Sequence, residues 1–320
     1  MKRSIFRFTL TVLSIYLCAA TAYARMLVPV GQIIGLELSA GTVTVAAFDD
    51  ALPAAKSSGL QIGDRILTID DTSIHCAEDV RKALRRSDGA VDMVIDREGT
   101  EKTIHMQPEI TVSGPKLGIY LKQGITGIGT VTYYDPETSQ FGTLGHGVND
   151  SKGNLLTMVQ GNAYPASIVS VQKGKAGTPG QLKGGLRNSH MLGTLSGNTA
   201  QGVFGITPQG WEGMAIPTAS AEEVRTGSAV IRSTVSGSTP REYSVEILKI
   251  YPKDRPDSRN LLIRITDPAL LDATGGIIQG MSGSPIIQNG KLVGAVTHVL
   301  VNDPTRGYGI FIENMLDAAE

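Results

Sequence analysis

The sequence predicts a mainly β protein with two domain-sized parts behind a short export segment. The length of 320 residues fits two ordinary domains. Glycine is abundant (38 residues) and aromatic residues make up only 5%, a composition typical of turn-rich β proteins. Beyond residue 120, short apolar stretches recur about every 8 to 12 residues between turns rich in glycine, proline or asparagine. This spacing predicts an antiparallel barrel or sandwich.

The first 24 residues have the pattern of an export signal. Lys2, Arg3 and Arg7 precede the apolar run FTLTVLSIYLCAA, and TAYAR offers a cleavage site after Ala24. The run is short for a full membrane span, although a retained anchor would follow the same pattern. We therefore expect residues 1–24 to act as a signal peptide or membrane anchor, and the rest of the chain to be exported across the cytoplasmic membrane.

Charge and cysteine content exclude several function classes. Without the first 24 residues the chain carries 26 basic and 30 acidic residues, so its charge does not attract nucleic acid. Only Cys76 is left after that segment, which rules out an intrachain disulfide and a cysteine-ligated zinc site. We expect neither a metal nor a cofactor.

Residues 28–108 are predicted to form a small α+β domain. It contains the string SSGLQIGDRILTIDDTSI, a helix over AEDVRKALRRS with Val80 and Leu84 on one side, and a hairpin around REGTEK. The quoted string resembles the PDZ signature, and PDZ domains bind an extended peptide as an added strand. A PDZ used only for packing or inhibition is the alternative. The resemblance places the peptide-binding loop at Gln32, Ile33, Ile34, Gly35 and Leu36.

Residues 109–320 contain one serine in a setting suited to catalysis. Ser282 lies in GMSGSP, although glycine, serine and proline are also common turn residues. A serine nucleophile needs a histidine base, and that histidine needs a third group to fix its tautomer. His146 stands between two glycines in FGTLGHGVND, after an apolar strand. We prefer it as the base over the four other histidines, which are His75, His105, His190 and His298.

The orienting carboxylate stays open at this level. Asp267 follows the apolar strand NLLIRIT, which would deliver it to the rim of the domain, and Asp150 is four residues from His146. The other candidates lie in turns or at strand ends and include Asp135, Asp254, Asp257 and Asp272.

The order of histidine before serine resembles the chymotrypsin type of double-β-barrel serine peptidase. That resemblance implies an oxyanion hole formed by the backbone N–H groups of Gly280 and Ser282. It also implies that the strand containing Val296, Thr297 and His298 pairs with the bound peptide.

Three longer motifs are similar to the SpoIVB (stage IV sporulation protein B) peptidases, which combine a PDZ domain with a serine peptidase domain. They are FGTLGHGVND, LLIRITDPALLDATGGIIQGMSGSPIIQ and GAVTHVLVNDPTRGYGIFIENML, and the similarity runs from about residue 28 to the C-terminus. It implies a triad in which His146 is the general base, Asp267 its orienting acid and Ser282 the nucleophile.

The same resemblance implies a role in sporulation. Such peptidases act in the space between the forespore and mother-cell membranes, on themselves and on a membrane-bound regulator of an intramembrane metalloprotease. Their action releases the late mother-cell sigma factor, sigma-K. Two alternatives compete: a quality-control protease of the HtrA type, whose domain order is the reverse, and an inert PDZ scaffold. The intact His146, Asp267 and Ser282 argue against the scaffold.

Overall fold

The computed structural model describes residues 24–150, 152–187 and 190–320. Residues 1–23 of the predicted export segment lie outside the described residues, so that prediction stays open. Within the described ranges, no helix has both the length and the apolar character needed to cross a membrane.

The described chain first forms two strands of one sheet and then a separate unit, which we call the inserted unit (residues 43–122). The first two strands are β1 (Met26–Pro29) and β2 (Ile33–Ser39). The inserted unit comprises β3 (Val43–Phe48), α1 (Ala54–Ser57), β4 (Arg65–Ile69), β5 (Thr72–Ser73), α2 (Ala77–Arg86), β6 (Val91–Arg97), β7 (Thr100–Met106), β8 (Glu109–Thr111), β9 (Gly114–Lys116) and β10 (Ile119–Lys122).

The inserted unit confirms the local predictions for this part of the chain. Its main sheet has the order β10-β3-β4-β6-β7, with β5 beside β4. Helix α2 turns Val80, Ala83 and Leu84 into the core of the unit, as the apolar spacing predicts. The REGTEK hairpin turns at Glu98 and Gly99, whose φ angles of 55° and 85° fit a two-residue turn.

The chain then returns to the sheet that it left. The next strands are β11 (Ile125–Tyr134), β12 (Gln140–Thr143), β13 (Gln160–Gln172), β14 (Gln181–Leu186), β15 (Gly193–Thr199), β16 (Gly202–Ile206) and β17 (Ile216–Pro217). They join β1 and β2 in a nine-stranded sheet. Because β12 pairs with both β16 and β11, the strands β11-β12-β16-β15-β13-β2 form a ring, the first barrel.

The position of β2 corrects two predictions. Ile34 to Leu36 pair with β11 on one side and β13 on the other, inside the first barrel, and Ile33 pairs with β11. These residues do not form a peptide-binding loop of the inserted unit, and Gln32 precedes the same barrel strand. The predicted domain of residues 28–108 therefore differs from the inserted unit, which begins after β2 and lies between the barrel strands β2 and β11. An isolated apolar strand carries no information on which distant sheet it joins.

The second barrel follows a short 3₁₀ helix at Ala221–Glu223. Six strands close it in the order β18-β19-β20-β23-β22-β21. Its elements are β18 (Gly227–Ser233), β19 (Arg241–Ile250), β20 (Leu261–Ile265), α3 (Pro268–Thr274), β21 (Pro285–Gln288), β22 (Lys291–Leu300), β23 (Asp303–Phe311) and α4 (Ile312–Asp317). The protein is therefore mainly β, as predicted, and its two barrels pack through a shared apolar layer around Tyr133, Phe204 and Ile310.

Candidate active site

A cleft of about 480 Å³ lies between the two barrels. Ser282 and His146 both line it, so the structure brings the predicted nucleophile and base into one site. The first barrel contributes Leu36, Leu38, Ile125, Gly127, Ile128, Leu144 and His146 to Asn149, and the second contributes Ile277 to Gly280, Ser282 and Thr297 to Val299.

Ser282 lies on a tight turn in which Gly280 and Gly283 cannot be replaced by larger residues without strain. Gly280 and Gly283 have φ angles of 98° and 95°, a region that favours glycine. A Cβ atom on Gly283 would lie 2.0 Å from the Thr130 carbonyl oxygen of the first barrel. In this arrangement the Ser282 hydroxyl donates a hydrogen bond of 2.8 Å to the Thr297 carbonyl. The Ser282 side chain is thus held beside strand β22, on a turn of residues 280–284 that we call the nucleophile turn after the predicted role of this serine.

The backbone around Gly280 is held by the hairpin of β13 and β14. The Gln279 carbonyl accepts a hydrogen bond of 2.8 Å from the N–H of Leu182. Because a trans peptide is planar, this bond turns the N–H of Gly280 to the opposite side. Among the described residues that N–H has no acceptor. This N–H is an unpaired donor beside Ser282, and its role in an oxyanion hole stays a prediction.

The N–H of Ser282 is fixed in the same way. The carbonyl of Met281 accepts from both the backbone N–H (3.0 Å) and the hydroxyl (2.7 Å) of Ser284. The N–H of Ser282 therefore faces away from these bonds, and no described residue accepts it. Ser284 is fully buried, and its hydroxyl oxygen lies 2.9 Å from that of Ser233, which can donate a hydrogen bond to it. It is a structural residue of the turn and has no access to substrate.

His146 is held in the tautomer that a general base needs. Its Nδ1 lies 2.9 Å from the Gly147 carbonyl, which can only accept, so the proton sits on Nδ1 and the lone pair on Nε2. Burial lowers the pKa of His146, and the bond to Gly147 partly offsets that effect. Because its pKa is lowered, His146 is neutral at neutral pH. The loop after His146 is held by Asn198, which bonds to both backbone groups of Val148.

Two threonines of β11 connect the nucleophile turn to the first barrel. The Thr130 hydroxyl donates to the Gly280 carbonyl (2.8 Å), and the Thr132 hydroxyl donates to the Gly283 carbonyl (2.7 Å). Both threonines are completely buried. Neither threonine was predicted from the sequence, although two threonines on one face of the strand GTVTYY indicate a buried polar contact.

Asp267 has the contacts of a helix cap. It is the N-cap of α3, and its carboxylate accepts from the N–H groups of Leu270 (3.0 Å) and Ser244 (3.3 Å). It is not among the described residues that line the cleft. The structure thus does not bring it into contact with His146, and its role as orienting acid stays a prediction.

The strand predicted to pair with substrate is only partly available. Both backbone groups of Val296 bond to the nucleophile turn, its N–H to Ser284 (2.9 Å) and its carbonyl to Gly283 (2.7 Å). Val296 is also fully buried, so the prediction that it pairs with substrate is wrong. The pairing register shifts between Val296 and His298, and the resulting bulge at Thr297 turns its carbonyl toward Ser282. Thr297 and His298 both line the cleft.

Comparisons with known proteins give one family and several distant likenesses. A family model described as SpoIVB peptidase S55 matches residues 114–316. A Rhizobium meliloti protein named “Putative zinc metalloprotease” is 37% identical over 87 residues, which are 27% of this chain and 23% of the relative, so the chain spans about a quarter of that protein.

Two solved structures of the Rv3671c protease of M. tuberculosis show a distant likeness. The active form is 16% identical, with 62% of this chain and 73% of that chain covered and a TM-score of 0.37. The inactive form is 15% identical, with 61% and 84% covered and a TM-score of 0.35.

The cleft brings together a hydroxyl, a neutral imidazole and two unpaired backbone N–H groups, the kinds of group that acyl-transfer chemistry uses. The family match carries the identification further, since it spans more than half of the chain. The protein belongs to the SpoIVB peptidase S55 family.

Proposed function

We propose that Ser282 and His146 carry out acyl transfer on peptide bonds in the cleft between the barrels. The observation that carries this proposal is the pair of unused N–H groups, on Gly280 and Ser282, beside the serine hydroxyl. Two such donors stabilise the negative charge that develops on the attacked carbonyl oxygen.

The reaction starts when the Ser282 hydroxyl turns from the Thr297 carbonyl to Nε2 of His146. The oxygen of Ser282 then bonds to the peptide carbonyl carbon, and its proton passes to Nε2. Collapse of the tetrahedral intermediate breaks the C–N bond, and His146 returns the proton to the leaving amine. A water molecule activated by His146 then hydrolyses the acyl-enzyme. The Gly147 carbonyl keeps the second ring nitrogen in place during both steps.

The cleft favours an uncharged, apolar peptide segment. Its lining contains no Lys, Arg, Asp or Glu among the described residues, and aliphatic side chains such as Leu36, Ile128, Ile278 and Val299 form most of it. A charged side chain would lose water there without gaining a partner. We therefore expect cleavage next to small or medium aliphatic residues.

We further propose that the enzyme acts in sporulation, as an exported peptidase between the forespore and mother-cell membranes. It would process itself and a membrane-bound regulator of an intramembrane metalloprotease, and so lead to activation of sigma-K. The support is membership in a family named for a sporulation peptidase, together with the sequence pattern of residues 1–24. The same residues would provide a membrane tether if they are retained.

The inserted unit is proposed to bind peptides by strand addition. Strand β10 is at the edge of its sheet, and a groove of about 470 Å³ separates it from helix α2. Val80 and Leu84 of the helix and Ile119 and Leu121 of the strand line this groove. An extended peptide could pair with β10 and place alternate side chains against α2. This groove replaces the loop at residues 32–36 as the predicted peptide site.

The direct test is to map self-cleavage. Purified wild-type protein, Ser282→Ala and the control Ser228→Ala, which changes an exposed serine of β18, would be incubated, and the new termini identified by mass spectrometry. We expect termini next to aliphatic residues in the wild type and the control, and none in Ser282→Ala. Cleavage by folded Ser282→Ala would overturn the proposed nucleophile, whereas intact chains in all three samples, with added peptides also uncut, would favour an inert scaffold.

A further inference from the structure

The side chain of His298 is a polar group of the cleft that the reaction above does not use. It follows Thr297 on β22, and its ring centroid lies 5.3 Å from that of His146. It also lines the same cleft as Ser282. The backbone of His298 was predicted to pair with substrate, but no role follows from that for the imidazole.

The two ring nitrogens of His298 differ in their surroundings. Nδ1 is fully buried and has no hydrogen-bond partner among the described residues. A buried N–H without a hydrogen-bond partner is rare in proteins. The neutral ring therefore carries its proton on Nε2 and leaves the lone pair on Nδ1 in the dry interior.

The charge state of the ring agrees with this tautomer. Protonation would place a second N–H at Nδ1, where no acceptor is present. Burial, the neighbouring His146 and Arg259 lower the pKa of His298 to about 4, while Asp257 acts in the opposite direction. At neutral pH His298 is thus an uncharged donor, which does not repel the imidazolium that forms on His146.

The Nε2–H of His298 is the part of the ring that can reach a ligand. Nε2 is not among the buried unpaired atoms, and no described residue bonds to it. Because the ring lines the cleft while Nδ1 is buried, Nε2 is on the open side. Most other side chains in the cleft are aliphatic, and in such sites a few polar groups fix the orientation of the ligand.

We propose that His298 is a substrate-binding residue whose Nε2–H donates a hydrogen bond to a backbone carbonyl of the peptide in the cleft. This rests on the proposed function, because it assumes a peptide ligand between the barrels. Every extended peptide offers backbone carbonyls at regular spacing, so this hydrogen bond positions the backbone of the bound peptide. The aliphatic residues that line the cleft then determine which peptide side chains fit. A neutral donor also serves this purpose without adding charge next to His146.

The test compares three replacements that keep different parts of the ring. The amide nitrogen of Gln occupies the place of Nε2, that of Asn the place of Nδ1, and Met fills the volume without a donor. The variants His298→Gln, His298→Asn and His298→Met would be made on the Ser282→Ala background. Binding of a fluorescein-labelled hexapeptide with valine and leucine at its centre would be followed by fluorescence anisotropy.

We expect His298→Gln to bind the peptide within about twofold of the Ser282→Ala parent, and His298→Asn and His298→Met to bind about three- to tenfold more weakly, the effect of one hydrogen bond. The assignment would be overturned if all four proteins bound the peptide equally well, or if all three variants bound it equally weakly. It would also be overturned if His298→Asn kept the parent affinity and His298→Gln did not. Thermal unfolding of each variant checks the fold, and the comparison of Gln with Asn stands even where Met does not fold.

Failure of this inference can be told apart from failure of the proposed function. Binding is measured without the nucleophile, so it does not depend on catalysis. The same three replacements in protein with intact Ser282 would be treated with a fluorophosphonate probe. Labelling of Ser282 in these proteins, combined with peptide binding that is insensitive to position 298, would overturn the role of His298 and leave the peptidase assignment standing.

Discussion

Replacing Gly180 by alanine tests whether the hairpin of β13 and β14 positions the oxyanion hole. The Gly180 carbonyl accepts from the N–H of Gln279 (3.0 Å), next to the bond from Leu182 that orients Gly280. A Cβ atom on Gly180 would lie 2.4 Å from the nitrogen of Gly174, about 1 Å closer than an ordinary contact. Because that neighbour is backbone, the connection between β13 and β14 must move, and Gln279 moves with it or loses its bonds.

The size of the effect follows from what the misplaced N–H does. Loss of one oxyanion donor typically lowers kcat about 100- to 1,000-fold, and a displacement of about 1 Å has an effect near the lower end. We expect kcat of Gly180→Ala to fall about 100-fold with little change in KM. The assay is steady-state cleavage of a fluorogenic peptide carrying the mapped self-cleavage sequence.

The matched control is Gly185→Ala on the same hairpin. Its Cβ would meet only Val169, at an ordinary distance of 3.4 Å, so we expect near wild-type kinetics. Equal kcat values for the two variants would refute the role of the hairpin. A drop in kcat that merely follows the folded fraction, measured by thermal unfolding, would refute it as well.

Three further predictions concern the turn, the cap and the base. Gly283→Ala should lower the free energy of unfolding by at least about 2 kcal/mol, because the new Cβ would lie 2.0 Å from the Thr130 carbonyl oxygen at a φ of 95°. Both free energies of unfolding would be measured by urea titration. Gly290→Ala, where a Cβ atom meets open space, should lower the free energy of unfolding by only about 1 kcal/mol. Equal losses in the two variants would contradict the packing argument. Asp267→Ala should lose about 1 kcal/mol as a helix cap, while Asp267→Asn keeps most of the cap. The Asp267→Asn variant therefore reports on the carboxylate charge alone. If Asp267 is the orienting acid of the triad, kcat/KM of this variant should fall by orders of magnitude. A wild-type kcat/KM would exclude Asp267 from that role. Burial lowers the pKa of His146 from the ordinary histidine value near 6.5. The imidazole therefore stays neutral to lower pH, and the acid limb of the pH profile of kcat/KM should lie below pH 6.5. An acid limb above that value would contradict the assignment of His146 as a buried base.

Local structure was predictable where short stretches of sequence determine it. The hairpin after the nucleophile turns at Asn289 and Gly290, whose φ angles of 52° and 73° suit that residue pair. Helix α2 follows from its apolar spacing, and GMSGSP contains the two glycines that the nucleophile turn requires. Such features depend on residues close in the chain, so the sequence pattern is enough to find them.

Long-range placement was not predictable in the same way. Strand β2 pairs with strands that begin about 90 and 130 residues later, and a short apolar strand does not identify partners at that separation. The same limit applies to the bonds of Val296 with the nucleophile turn and to Thr130, which joins the turn to the first barrel. Asp267 shows a further difficulty, since a carboxylate before a proline-initiated helix suits both a cap and a catalytic acid.

The central claim is that Ser282 is a nucleophile activated by His146. Its most direct test is covalent labelling of the wild-type protein with a fluorophosphonate probe, followed by mass spectrometry of the peptide that contains residues 280–285. We expect the adduct on Ser282, with none in Ser282→Ala and labelling strongly slowed in His146→Ala. An adduct on Ser284, or labelling that is equally fast without His146, would contradict the account.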